Sequence, residues 1–189
     1  VVIRVNSPGG SALASDIIWR EIDLLKKEKP VTVSMGDVAA SGGYYIACGA
    51  DSIFANASSI TGSIGVFSVV PNVKGLMNNK LGISFDGVKT GQFADMPSTT
   101  RPLNTAEQRF MQAGVDSIYH IFKSRVAAGR KKPIEYIDSI AQGRVWIGAD
   151  AIKVGLIDRI GTLDNAIASA AKMAKLNGYS IKIYPESKN

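Results

Sequence analysis

The 189-residue chain carries 22 Lys and Arg against 16 Asp and Glu, one His and one Cys, with 46% hydrophobic and 20% charged residues. That is enough apolar material for a core within one domain's length, and it excludes a disordered tail, a coiled coil, an internal disulfide framework, a four-cysteine zinc site and a His-rich metal site. The net charge of +6 is scattered apart from Lys26, Lys27 and Lys29 and the run Arg130-Lys131-Lys132, which read as solvated helix ends; without a dense basic stripe and interleaved aromatics, no nucleic-acid surface is expected.

Val1 to Val5 is β-branched and predicts a strand, ended by the tight loop Ser7-Pro8-Gly9-Gly10. The chain opens on this strand with no Met and no leader, which reads as a piece of a longer protein. From Ser11 the pattern is helical, with Leu13, Ile17, Ile18, Ile22 and Leu25 as the apolar face, until Pro30 stops it. Val31 to Met35 predicts a second strand, Gly36 to Gly43 a bend of small residues, and Tyr44 to Cys48 a short buried helix. Strands are expected at Ser52 to Ala55 and Ile64 to Val69, then a short helix near Val73 to Asn79 and a strand near Ile83 to Gly87. Thr105 and Gln108 predict a capping box that opens a long helix with Phe110, Met111, Val115, Ile118, Phe122 and Val126 inward. Further helices are expected after Pro133, at Ala149 to Val154 and at Asp164 to Leu176, with a closing strand at Ile181 to Tyr184. No apolar run approaches the ~18 residues of a membrane span. The alternation of strands and helices predicts one α/β domain over residues 1–189, with a largely parallel sheet and flanking helices.

Function in such a sheet belongs at loops on the carboxyl ends of strands. Two glycine-rich loops are placed there, Ser7 to Gly10 and Ala40 to Gly43. Ser41 sits between a strand and a helix with Ala and Gly neighbours, the arrangement of a nucleophile elbow. The Gly42 amide follows it at a helix start, and the first loop has glycines that turn an N–H outward at low cost, so a two-donor oxyanion hole is within reach. His120 within the long helix reads as a surface or packing residue, and Cys48 as a small core residue. Tyr44 is the aromatic most suited to touch a substrate.

Arg4 to Gly10, Val33 to Gly36, Ala39 to Tyr45 and Thr61 to Gly65 together resemble the signal peptide peptidase A family, and Gln142 to Ala151 with Gly155 to Asp158 resembles its later motif. The resemblance covers nearly the whole chain. It implies a Clp protease/crotonase-like fold and a serine–lysine peptidase needing no metal or cofactor. It implies Ser41 as nucleophile, Gly10 and Gly42 as oxyanion donors, and Ser63 as the hydroxyl that orients the lysine base. It also implies a bacterial inner-membrane enzyme whose catalytic part faces the periplasm, which cuts remnant signal peptides and assembles as a homo-oligomer.

The base itself is missing. A lysine accepts a proton from serine only when neutral, which requires its pKa of about 10.4 to fall to roughly 7–8. In the single-domain branch of the family the lysine lies in a segment matching Lys89 to Pro97, and its position here is Ala94. In the longer, duplicated branch the first half brings the lysine and the second half the serine. The chain therefore resembles a C-terminal half that is inactive without its N-terminal half. Lys89 is the nearest substitute. A non-catalytic assembly scaffold of the same fold and a crotonase-like acyl-CoA enzyme are the alternative readings.

Overall fold

The computed structural model describes residues 1–185. They form two compact units, Val1–Gly65 together with Ile121 onward, and Val66–His120. The first contains β1 (Val2–Ser7), α1 (Ala12–Glu28), β2 (Thr32–Ala40), α2 (Gly42–Ala47), β3 (Ser52–Ala55), β4 (Ile60–Gly62), α5 (Ile134–Ile140), β5 (Val145–Ile147), α6 (Gly148–Ala151), β6 (Arg159–Ile160) and α7 (Leu163–Met173). The second contains α3 (Lys74–Lys80) and the start of α4 (Thr105–Arg130), whose last turns belong to the first unit.

β2 is the axis of the sheet. β1 runs parallel along one edge, from Val2↔Thr32 to Ser7↔Ala39. The other edge is shared in succession by β3, at Thr32 to Ser34, and β4, at Val38 to Ala40, both parallel. β6 adds in parallel to β3, and β5 adds antiparallel to β4. The α/β class with a largely parallel sheet is thus as expected. Val31, Val33, Met35 and Ala39 are fully buried, as is usual for a strand with neighbours on both edges and helices on its faces. The polar side chains between them are bonded: Thr32 donates to the Ala166 carbonyl of α7, and Ser34 accepts from Arg4. Between Val5↔Met35 and Ser7↔Ala39, β2 advances by more residues than β1. The Asn6 side chain fills that irregularity, abutting Gly36 and accepting from the Val38 amide.

Several expected elements differ. The bend foreseen from Gly36 continues as strand to Ala40, because β4 pairs with it. The strand foreseen at Ile64 to Val69 is instead β4, Ile60–Gly62. Gly62 and Ser63 both have positive φ, at 74° and 48°, and turn the chain off the sheet before the apolar run starts. Ile83 to Gly87 and Ile181 to Tyr184 find no ladder and are not strands. On α1 only Ser15 and Ile22 are buried, so Leu13, Ile17 and Ile18 form an outward apolar face rather than the core face. On α4 Phe122 and Val126 are buried, whereas Phe110 and Ile118 are exposed. Its capping box is shifted by one residue: Asn104 accepts from the Glu107 amide and Glu107 accepts from the Asn104 amide. The basic runs are not simply solvated. The Arg130 side chain is largely shielded from solvent, donating to the Gly155 carbonyl and to both Asp158 oxygens, and Lys26 reaches the Gly49 carbonyl.

Candidate active site

β2 delivers Ser41 to the start of α2. Its φ of 52° and ψ of −120° are unusual for a residue with a Cβ. Such backbone costs of order 1–3 kcal/mol and persists only where the surroundings hold it. Two hydrogen bonds do so: the Ser41 amide donates to the Gly62 carbonyl at 2.9 Å, and its carbonyl accepts from the Tyr45 amide at 2.8 Å. The hydroxyl, by contrast, has no hydrogen-bond partner among the described residues, and it does not cap α2. The residue is half-buried.

The first glycine loop lies directly against this turn. A Cβ on Gly9, which has φ +105°, would stand 2.7 Å from the Gly42 nitrogen and 2.8 Å from the Ser41 Cβ. A Cβ on Gly42 would stand 2.5 Å from the Ser15 Oγ and 3.2 Å from the Gly10 nitrogen. Only glycines allow the two loops to touch in this way. The amides of Gly10 and Gly42 lack hydrogen-bond partners among the described residues. Open space surrounds the Gly10 Cβ position. Gly10 is exposed and Gly42 half-buried at the first position of α2, where an amide has no partner within the helix, so both N–H groups are open to an incoming acceptor beside the free hydroxyl. Chemically, that set offers a nucleophile and two donors for a developing negative charge.

A model of peptidase family S49 matches residues 23–177, more than half of the chain. The chain belongs to peptidase family S49. Protease 4 of Salmonella typhi is 44% identical over 187 residues, covering 98% of this chain and 30% of its own length. The chloroplastic serine protease SPPA of Arabidopsis thaliana is 43% identical, covering 93% of this chain and 26% of its own length. The chain therefore spans less than a third of these relatives. The family is one of peptidases, and both of these relatives are named as proteases. In fold the chain is similar to a ClpP1 N165D mutant from Listeria monocytogenes, with a TM-score of 0.57 at 15% identity over 88% of this chain and 76% of that one. The Clp-type fold is thus as expected.

The other residues singled out in this S49 chain fall in different places. Ser63 follows Gly62, whose carbonyl pins Ser41, and its own amide donates to the Arg144 carbonyl of the later motif at 2.7 Å. Ala94 is exposed in a turn of the second unit, where its amide donates to the Gly91 carbonyl. Lys89, in the same unit, is ion-paired to Asp95 at 2.9 Å. Tyr44 is not a substrate contact. It is fully buried, donates to the Leu156 carbonyl at 2.8 Å, and burial raises its hydroxyl well above the ordinary range. Cys48 is also fully buried, and burial pushes its thiol up to about 12. His120 is exposed in the second unit. Among the described residues no group of His, Cys, Asp and Glu is placed to hold a metal. Two contributors were not foreseen: Ser15, which backs Gly42, and Asp16, which accepts from the Tyr45 hydroxyl at 2.6 Å. A serine four residues after the Ser11 cap, on a helix otherwise rich in large side chains, was the available signal.

Proposed function

We propose that the chain is the serine-bearing peptidase domain of a longer, duplicated signal peptide peptidase. Ser41 Oγ attacks the scissile carbonyl carbon as its proton passes to a neutral lysine amine. The amides of Gly10 and Gly42 stabilise the oxyanion, and Ser63 orients the lysine. The proton then goes to the departing amine, and water hydrolyses the acyl-enzyme. The lysine comes from the N-terminal half, since Ala94 occupies the position that carries it in single-domain relatives. The isolated chain is therefore inactive. The observation that carries this reading is the strained Ser41, whose hydroxyl is unpartnered among the described residues, on a turn in direct contact with the loop that holds Gly10.

The substrate and setting rest on the family resemblance. They are remnant signal peptides, an inner-membrane protein with its catalytic part facing the periplasm, and a homo-oligomer. Among the described residues no helix is long and apolar enough to cross a membrane. A fluorophosphonate probe tests the assignment in the full-length protein. Label on Ser41, lost with peptide hydrolysis in Ser41→Ala, is expected. Adding the N-terminal half to the 189-residue chain is expected to restore hydrolysis. Hydrolysis that survives Ser41→Ala overturns the reading.

A further inference from the structure

Asp16 and Tyr45 belong to a ring of contacts that closes around Ser41. Ser11, directly after Gly10, caps α1: its Oγ accepts from the Ala14 amide, and its carbonyl accepts from both the Ser15 amide and the Ser15 hydroxyl. Ser15 Oγ then sits 2.5 Å from where a Gly42 Cβ would be. The next residue, Asp16, accepts from the Tyr45 hydroxyl at 2.6 Å, and the Tyr45 amide donates to the Ser41 carbonyl. The helix that begins at the first glycine loop thus touches the start of α2 at one point and holds its Tyr45 at another.

The Asp16–Tyr45 pair is itself braced. Arg125 of α4 lies 3.5 Å from the Asp16 carboxylate, an ion-pair distance, and its guanidinium sits 3.9 Å over the Trp19 ring. Phe122 packs against Tyr45 with ring centroids 4.7 Å apart. Tyr44 next door satisfies its hydroxyl on a backbone carbonyl, the usual solution for a buried tyrosine. Tyr45 instead uses a carboxylate on the helix that leads from Gly10. A charge-assisted bond of that kind is short and directional, suited to holding two elements in register.

We propose that Asp16 and Tyr45 are positioning residues, which set the spacing between the Gly10 loop and the Ser41–Gly42 turn and so hold the two donor amides on one acceptor. This rests on the Ser41 reading above. The test is fluorophosphonate inactivation of the full-length protein under saturating conditions, which separates reagent binding from the covalent step. Tyr45→Phe keeps the ring and its packing and removes only the hydroxyl. It is expected to slow the covalent step about ten-fold, short of the roughly hundred-fold that a misplacement of about 1 Å carries, with reagent affinity unchanged. Asp16→Ala is expected to match it. Asp16→Asn retains an oxygen acceptor and is expected to stay within about three-fold of the unmodified protein. Equal covalent rates in Tyr45→Phe and the unmodified protein overturn the proposal. So does a loss in Asp16→Asn as large as in Asp16→Ala, or a loss in every variant that tracks the unfolded fraction measured by circular dichroism. Failure of the Ser41 reading is distinct: the unmodified protein takes no label, or Ser41→Ala still does.

Discussion

The two units of the chain are held by different forces. In the first, a sheet strand with Val31, Val33 and Met35 fully buried is packed by helices, and glycine loops meet at contact distance. In the second, large apolar side chains lie outside: Phe67 is 85% exposed and Val88 98%. Its order comes instead from Arg101, which forks between Asp95, with bonds of 2.7 and 2.8 Å, and Glu107, with bonds of 2.5 and 2.8 Å. Glu107 is fully buried, is bonded also by the Asn104 amide, and is held down to about 2 by Arg101 first and that amide second. Phe93 and Phe110 add one stacked pair at 5.8 Å. A segment with little buried apolar area is thus given a defined shape by bidentate charge pairing and a helix cap, interactions that acid and salt weaken.

The largest effect is expected from Gly9→Ala. Backbone overlap with Gly42 and an unfavourable φ act together, at more than about 3 kcal/mol, and labelling of Ser41 disappears with the contact. Urea unfolding measures it, and a loss under about 1 kcal/mol contradicts the close packing of the loops. Ile53→Ala, fully buried in β3, follows at about 2–5 kcal/mol by cavity formation.

Arg101→Ala sharpens the contrast. Amide exchange is expected to quicken over residues 95–107 while β1 and β2 keep their protection. Uniform quickening across both units contradicts the division. Acid acts on the same residues. Asp95 is held well below the carboxylate range by Arg101 and then Lys89, and Glu107 by Arg101. Between pH about 4.3 and about 2 the unfolded chain therefore binds more protons than the folded unit. The contribution is whole above that window and is lost as pH falls through it. Exchange measured from pH 5 to 2 is expected to show residues 95–107 opening across it. The smallest effect belongs to Val88→Ser, within about 0.5 kcal/mol, because the side chain is already in water.

Local signals in the sequence were sufficient where one strong physical rule governed. The β-branched runs became β1 and β2, Pro30 ended α1, and the glycines around Ser41 lie where loops must touch. Ser41, Gly42 and Gly10 came together, with Ser63 beside Gly62. The rest depended on partners far along the chain. The three residues of β5 were not foreseen, since their pairing with β4 is antiparallel and short. Tyr44 and Tyr45 are adjacent and alike, yet one is satisfied by Leu156 and the other by Asp16. Leu13, Ile17 and Ile22 have the spacing of a core face, but of these only Ile22 is buried, together with Ser15.

The opening strand–helix–strand–helix order from β1 to α2, the two glycine loops and the serine on the second of them were legible in the sequence alone, because turn geometry and β-propensity act between neighbours. Which helix face went inward, which hydroxyl met which carboxylate, and which amides were left without partners were decided only by tertiary structure. Those outcomes depend on what stands opposite, and hydrogen bonds or packing across 29 or 112 residues of separation leave no local trace.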